Sequence, residues 1–261
     1  MILKDFIDCD KYEIEYFLDG GSTLGCVRHQ GFIPWDDDID VLLLRDQYEK
    51  FLRYRDEFDD KYDILTMDDY DKYCKIFTKI SLKGTKTGEL SDINTDFTYG
   101  ISLDVFPYDN IPNPGVKRFF FILHFEIFRK LHILYEVTNS DVYASKNKER
   151  IGHVIRFMFK VLHIDNNFVK KVGRKLIKKS KKINSNYICS LGTPYYLYAF
   201  DKSIYESSIK SKFESLEVNL PQGCEKYLNI NFGEDWRELP PVEKRVNHKY
   251  DGFDLGKYGD V

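Results

Sequence analysis

Alternating apolar and polar positions in the first 111 residues predict short strands separated by short helices. The run ending in "FLDGG" predicts a strand that leads into a glycine turn, and "STLGCVRHQ" predicts one or two helical turns with Ser22 as N-cap. "DIDVLLL" predicts a second strand, and "RDQYEKFLRYRDEF" predicts an amphipathic helix with Tyr48 and Phe51 on its apolar side. "YCKIFTKISL" and "YGISLDVFPYD" predict two further strands. This part of the chain is therefore typical of the α/β class.

The pattern changes at "IPNPG", the strongest break in the chain. After this break, apolar residues recur with helical spacing in three long segments. From Tyr187 onwards, short predicted strands are mixed with one helix near residues 222–232. We therefore expect three regions that pack as one compact unit. They are a core at 1–111, a basic helical region at 112–186, and an α+β segment at 187–261 that packs back on the core.

Composition indicates a globular protein with enough apolar residues for a substantial core, since 43% of the 261 residues are hydrophobic. The five cysteines form no Cys-x-x-Cys pair, which favours neither a disulfide framework nor a zinc site. A reducing cytoplasm suits this pattern. We expect neither a signal peptide nor a membrane-spanning helix, because no uncharged apolar segment is long enough. The expected location is cytoplasmic.

Charge is divided unevenly along the chain. Residues 1–111 contain 13 Lys and Arg against 25 Asp and Glu, whereas residues 112–261 carry a net charge of +9. This asymmetry indicates metal binding in the first half and an anionic partner in the second.

Four aspartates lie within five residues beside the second predicted strand. Because side chains in a strand alternate between faces, Asp36, Asp38 and Asp40 share one side, while Ile39 and Val41 face the other. The Cβ atoms of Asp38 and Asp40 would lie about 6.6 Å apart, so both carboxylates can bind one hard divalent cation or hold a pair of cations. The alternative is an ordinary solvated acidic turn.

Gly20, Gly21 and Ser22 supply a second element of a possible site. Glycines allow a phosphate to approach the backbone closely, and the N-terminus of the following helix favours an anion. The stretch is neither a Walker A loop nor a dinucleotide-binding fingerprint, because the residue types and glycine spacing differ. The alternative is a plain turn. Together, the turn and the acidic strand favour a site that binds metal and phosphate.

Three blocks of the sequence resemble the LicD family of phosphocholine transferases, which is itself similar to the fukutin-type ribitol-phosphate transferases. They are "DGGSTLGCVRHQGFIPWDDDID", "YGISLDVFPYD" and "LPPVEKRVNHKYD", and together they bracket nearly the whole chain. Cys26 stands where a small residue such as alanine is usual. The resemblance implies a nucleotidyltransferase-like core with a mixed sheet, followed by a mainly α-helical elaboration after residue 111.

The resemblance also implies roles for individual residues. Gly21 and Ser22 would form the turn, Asp38 and Asp40 the metal pair, and Asp104 the third carboxylate. Asp104 lies in "ISLDVF", where its neighbours are expected to be buried, and its alternative role is that of a base. Asp109 lies two residues after Pro107 and is predicted to be an ordinary turn residue.

The implied reaction is metal-dependent transfer of a phosphorylated alcohol from a cytidine-diphosphate donor to a sugar hydroxyl, with CMP as leaving group. The expected donor is CDP-choline, the acceptor a cell-surface glycan or its lipid-linked precursor, and the metal Mg²⁺ or Mn²⁺. Such transfer depends mainly on positioning and charge stabilisation. Two alternatives remain open: a CDP-ribitol or CDP-glycerol donor, and a non-catalytic protein that binds a nucleotide or glycan.

Several cations near these blocks are candidates for contacts with the donor or another anion, although a solvated surface is the alternative for each. They are Arg28, His29, Lys79, Lys244, Arg245 and His248. Trp35 and Trp236 are predicted to be packing anchors rather than platforms for a base.

Residues 146–182 contain 13 Lys and Arg against two acidic residues, with apolar residues between the charges. A basic amphipathic segment of this kind can lie peripherally on the inner face of an anionic membrane. Nucleic-acid binding is disfavoured by the acidic first half and the enzyme-like motifs. The remaining alternative is an ordinary helix with a solvated basic face.

Overall fold

The computed structural model describes residues 1–7, 12–58, 60–70, 73, 75–89, 100–139, 146–191, 198–245 and 250–259. The helices are α1 (Ile2–Ile7), α2 (Gly20–His29), α3 (Arg45–Tyr54), α4 (Val116–Asn139), α5 (Lys146–Val161), α6 (Asn166–Ser180) and α7 (Cys224–Phe232). The strands are β1 (Phe17–Leu18), β2 (Asp40–Leu44), β3 (Tyr62–Leu65), β4 (Thr78–Leu82), β5 (Lys86–Glu89), β6 (Ser102–Ile111), β7 (Tyr187–Ser190), β8 (Phe200–Asp201), β9 (Ser208–Phe213), β10 (Leu216–Pro221) and β11 (Tyr250–Asp254). The predicted mixed α/β class is therefore confirmed.

Strand β6 is the centre of a seven-stranded mixed sheet. It pairs in parallel with β2, which pairs antiparallel with the two-residue β1. On its other edge, the first half of β6 pairs antiparallel with β4, and the second half pairs antiparallel with β7. Strand β3 extends the sheet from β4, and β8 extends it from β7. One long strand therefore joins elements from both ends of the chain.

Apolar side chains cover both faces of this sheet. Along β2, Val41 and Leu43 enter a core that contains Phe51 of α3, whereas Leu42 between them enters a second core that contains Tyr227 of α7. This arrangement follows from the alternation of side chains in a strand. The predicted apolar side of α3 is confirmed, because Tyr48 and Phe51 are both buried.

Two predicted boundaries near the glycine turn are wrong. Helix α2 begins at Gly20 with Asp19 at the N-cap position, so Ser22 lies in the first turn and is not the N-cap. The N–H of Thr23 donates to the carbonyl of Asp19 at 3.0 Å, which places Asp19 at the N-cap position, and Gly20 has a left-handed φ of +47° that glycine tolerates. Strand β2 begins at Asp40, two residues later than the pattern predicted.

Three long helices follow the "IPNPG" break, as the periodicity predicted. Helix α4 buries Phe121 and Phe125 against Val169 and Leu176 of α6 in a third core. No helix among the described residues is both long and apolar enough to cross a membrane. The division into three regions stays a prediction.

Two small sheets complete the described structure. Strands β9 and β10 form an antiparallel hairpin, from which Phe213 and Val218 join the core around Phe51. Strand β11 pairs with β5 and thereby joins the C-terminal region to residues 86–89. The helix predicted near residues 222–232 is confirmed as α7.

Candidate active site

Gly20 and Gly21 form the start of α2 directly against the acidic segment. A Cβ atom on Gly21 would lie 2.4 Å from Oδ2 of Asp36, so no side chain fits there without displacing that carboxylate. A Cβ atom on Gly20 would lie 3.4 Å from Oδ2 of Asp40. The backbone N–H of Asp40 donates a hydrogen bond to Oγ of Ser22 at 2.9 Å. The glycine turn and the acidic segment are therefore neighbours in space.

Asp40 and Asp104 are directly paired residues of the adjacent parallel strands β2 and β6. Their side chains project from the same face of the sheet, and both residues are half-buried. Burial raises the pKa of the Asp40 carboxyl well above its usual range, and repulsion from Asp38, Asp104 and Asp19 raises it further. This concentration of negative charge is unfavourable unless a cation compensates for it.

The chemistry of these side chains suits a hard divalent cation, because carboxylate oxygens are the ligands that Mg²⁺ and Mn²⁺ prefer. Among the residues described, Asp36, Asp37 and Asp38 place carboxylate oxygens within 4.8 Å of one another. This compact group shares only Asp38 with the predicted trio of Asp38, Asp40 and Asp104. Which of these carboxylates bind a metal stays a prediction.

Lys79 of β4 forms an ion pair with the carboxylate of Asp104. Its Nζ donates to Oδ1 and Oδ2 of Asp104 at 2.7 and 2.9 Å, and to Oγ of Ser102 at 3.3 Å. The positive charge of Lys79 lowers the pKa of Asp40, although burial and the other aspartates have the larger effect. The structure thus places Lys79 at the site, while its predicted contact with donor phosphates stays a prediction.

A buried polar group beside the glycine turn was not predicted from the sequence. The Asp19 carboxylate, only 6% exposed, accepts hydrogen bonds from the hydroxyls of Tyr108, at 2.9 and 3.2 Å, and Tyr227. The Tyr227 hydroxyl also accepts a hydrogen bond from the N–H of Gly20 at 2.6 Å. Burial raises the pKa of Asp19, and the bonds from Tyr227 and Tyr108 lower it. This group fixes the start of the turn.

A cleft of about 460 Å³ opens beside the turn and is lined by Gly21, Asp36, Arg28 and Lys244, among other residues. Arg28 contacts the C-terminal segment, where its Nη1 donates to the backbone carbonyls of Trp236 at 2.9 Å and Glu238 at 3.1 Å. Two of the predicted cations therefore line one cleft. Trp236 also borders the cleft but is only 4% exposed, which agrees with its predicted packing role.

Trp35 lines this cleft, and two further predicted cations contact its indole ring. The guanidinium of Arg245 lies over the indole ring, 4.7 Å from the centroid, and the ring of His29 lies 6.1 Å from the same centroid. Burial lowers the pKa of Arg28, and the charge of Arg245 lowers it further. Burial and the neighbouring Arg28 likewise lower the pKa of His29. The predicted residue His248 lies outside the described residues.

Asp109 is not a turn residue, contrary to the prediction. It lies within β6, has a fully buried side chain, and forms an ion pair with Arg45, whose Nε donates to Oδ1 at 2.9 Å. The preceding Pro107 was the misleading signal, since proline usually interrupts a strand. Here it falls where the antiparallel partner of β6 changes from β4 to β7. Asp109 is therefore part of the core and fastens α3 to β6.

Residues 13–133 match the model of a protein family described as LicD/FKTN/FKRP, nucleotidyltransferase domain. The matched range contains the glycine turn and all three predicted aspartates. This part of the chain is therefore similar to the LicD family, and the resemblance predicted from the sequence blocks is confirmed.

Individual relatives extend this comparison. The chain is 29% identical over 257 residues to the lipopolysaccharide cholinephosphotransferase LicD of Haemophilus influenzae, and the alignment covers 92% of this chain and 88% of that protein. An uncharacterized protein of Rickettsia typhi is 40% identical over 48 residues, which are 18% of this chain and 16% of the relative. An uncharacterized protein of Rickettsia prowazekii is 47% identical over 36 residues, 14% of each chain.

Proposed function

We propose that this protein transfers phosphocholine from CDP-choline to a hydroxyl group of a cell-surface glycan or its lipid-linked precursor, and that it releases CMP. The observation that carries the proposal is the direct pairing of Asp40 with Asp104 in adjacent strands, beside a glycine turn that approaches Asp40. The similarity to a lipopolysaccharide cholinephosphotransferase over 92% of the chain supports the choice of donor and acceptor. The same features support a nucleotidyltransferase-like fold for residues 13–133.

The donor carries a diphosphate, and its proposed location is the cleft beside the glycine turn. Arg28 and Lys244 line this cleft, and Arg245 stacks on Trp35 at its wall. The first turn of α2, at Gly21, adds backbone N–H groups that have no partner within the helix and favour an anion. Positive side chains and the helix N-terminus therefore converge on one space, which is the requirement for holding a diphosphate.

We propose Asp38, Asp40 and Asp104 as the residues that hold Mg²⁺ or Mn²⁺. Burial is the main cause of the raised pKa of Asp40, and repulsion from neighbouring aspartates adds to it, so a bound cation would relieve part of this unfavourable charge. When bound, such a cation would neutralise diphosphate charge and acidify a coordinated hydroxyl. Lys79 holds both oxygens of Asp104 and so keeps that carboxylate in a fixed position.

In the proposed reaction, the acceptor hydroxyl oxygen bonds to the phosphorus that carries choline. The bond from this phosphorus to the bridging oxygen of the diphosphate breaks, and CMP leaves with the electron pair. The hydroxyl proton passes to water. Because Lys79 already binds both oxygens of Asp104, we assign Asp104 to fixing charge and not to accepting this proton.

The experiment is a CMP-release assay with purified protein, Mg²⁺, a lipopolysaccharide acceptor, and CDP-choline, CDP-ribitol or CDP-glycerol in separate reactions. We expect acceptor-dependent release with CDP-choline, loss of release with EDTA, and a new phosphodiester signal of the glycan in ³¹P NMR. A preference for CDP-ribitol or CDP-glycerol would replace the donor and retain the chemistry. Absence of acceptor-dependent CMP release from all three donors would refute the proposed reaction.

A further inference from the structure

Helix α4 carries apolar side chains on two faces, although only one of them is covered by the described protein. Its inner face contributes Phe121, Phe125 and Phe128 to the third core. Its outer face exposes a row at spacings of four, three and four residues, which is one side of a helix. This row is Val116 (72% exposed), Phe120 (53%), Leu123 (45%) and Ile127 (58%). A helix at the surface of a water-soluble protein normally has polar residues there.

Helix α5 repeats this arrangement. It packs against α4 through the stacked rings of Tyr135 and Phe159, whose centroids lie 6.3 Å apart. Its exposed apolar side chains are Ile151, Val154, Phe157, Met158 and Val161, each between 52% and 67% exposed. More than half of the exposed large apolar side chains in the described structure lie between residues 116 and 168. Single exposed apolar residues are ordinary, but such a concentration marks an interaction surface.

The charge carried by α4, α5 and α6 indicates the kind of partner. Lys117 and Lys160 are exposed on the same two helices, and Lys171, Lys175 and Lys178 are exposed on α6. The acidic side chains that the structure describes on these helices and at the start of α6 are few. Glu126 pairs with Arg129, and Asp165 caps α6. A second copy of this chain would bring the same lysines together, which is unfavourable. A partner with an apolar interior beneath a negatively charged surface would suit both the exposed apolar side chains and the exposed lysines.

We propose that the outer faces of α4 and α5 dock on an anionic lipid membrane surface, with the lysines of α6 at the phosphate level. This inference goes beyond the proposed transfer reaction and does not depend on it. Interfacial helices bury apolar side chains at the boundary of headgroups and acyl chains, while basic residues are attracted to anionic lipid. The basic segment predicted from the sequence is refined accordingly: α4 supplies part of the surface, and Lys170 does not, because it is 3% exposed and donates to the carbonyl of Tyr70 at 2.6 Å.

The test is flotation of the purified full-length protein with vesicles of phosphatidylcholine, with or without phosphatidylglycerol, at low and high salt. We expect the wild type to float only with the anionic vesicles, and to be released as salt rises. The variant Phe157→Ser with Met158→Ser should lower binding at least tenfold, as should Lys171→Glu with Lys175→Glu. Ile209→Ser, which removes an exposed apolar side chain from β9, is the matched control and should bind as the wild type does.

Circular dichroism and the melting temperature of each variant show whether it is folded, and CMP release with a soluble acceptor reports separately on the transfer reaction. A wild type that stays in the soluble fraction with anionic vesicles at low salt overturns the proposal. Equal binding to zwitterionic vesicles, or unchanged binding by the Phe157 and Met158 variant, also overturns it. A dimer that this variant dissociates, without any vesicle binding, would show that a second copy covers these helices.

Discussion

Replacement of Tyr227 by phenylalanine tests whether the C-terminal region holds the glycine turn in place. The Tyr227 hydroxyl donates to the buried carboxylate of Asp19 and accepts from the N–H of Gly20 at 2.6 Å. Phenylalanine preserves the ring, which stacks on Phe200 with 5.1 Å between centroids. The substitution therefore removes two hydrogen bonds at the turn and little apolar packing.

The expected loss of stability follows from the chemistry of these two hydrogen bonds. A hydrogen bond to a charged group contributes about 1.5–3 kcal/mol, and a buried donor left without a partner costs about 1–3 kcal/mol. Since the Gly20 N–H lies partly exposed and can bind water, we expect the lower part of this range for it. The free energy of unfolding should fall by about 2–4 kcal/mol. Turnover should fall as well, by about tenfold or more, because a displaced turn misplaces the donor.

This loss of stability should depend on pH. Burial raises the pKa of Asp19, and the Tyr227 hydrogen bond lowers it, so the variant should have a still higher folded-state pKa. A carboxyl whose pKa is raised on folding lowers stability at any pH above its unfolded-state pKa, and this cost shrinks as the pH falls from the folded-state pKa towards the unfolded-state pKa. Two proteins that differ only in the folded-state pKa therefore differ in stability most at a pH above both folded-state values. The difference between variant and wild type should therefore be largest near neutral pH and should shrink on acidification.

Tyr205→Phe is the matched control, because the buried Tyr205 hydroxyl makes no hydrogen bond within the part of the chain that the structure describes. Its ring lies 6.4 Å from that of Tyr227, in the same core. Urea unfolding at pH 7.5 and pH 5.5 gives the free energies. Equal losses from the two substitutions, or a loss below about 0.5 kcal/mol for Tyr227→Phe, would refute the role assigned to this hydroxyl.

The sequence predicts the elements of this site well where they lie close together in the chain. The glycine turn, the acidic segment and the strand around Asp104 each carry a local pattern of glycine or alternating apolar residues. Helices α4 to α6 also carry a clear helical period. The extent of short strands was harder to predict, because a two-residue strand such as β1 is too short to show alternation.

The contacts that complete the site could not be predicted, because they join distant parts of the chain. Tyr227 is 208 residues from Asp19, and a tyrosine in an amphipathic helix is usually core. Lys79 meets Asp104 only through the register of β4 against β6, which no local pattern fixes. The one available signal was Asp19 itself, a carboxylate at the end of a buried strand, which needs hydrogen-bond partners.

Three substitutions test the remaining charges. Asp40→Asn should raise the metal-free melting temperature, because burial and the repulsion from neighbouring aspartates, which raise the pKa of Asp40, make its charge unfavourable in the folded protein. The same variant should lose the increase in melting temperature that we expect Mg²⁺ to give the wild type. Asp104→Asn should lower CMP release at least about a hundredfold, the scale of losing a preorganised charge, while the protein stays folded. Asp109→Asn, on the same strand, should lower stability and not turnover. The fully buried Asp109 carboxylate neutralises Arg45, and removing one partner of a buried pair costs about 3–5 kcal/mol of folding free energy. The folded fraction of that variant should keep its turnover, since Asp109 touches Arg45 and not the proposed metal ligands. Urea unfolding and CMP release measured on both variants separate the two roles, and equal effects on stability and turnover would show that Asp104 and Asp109 have been assigned wrongly.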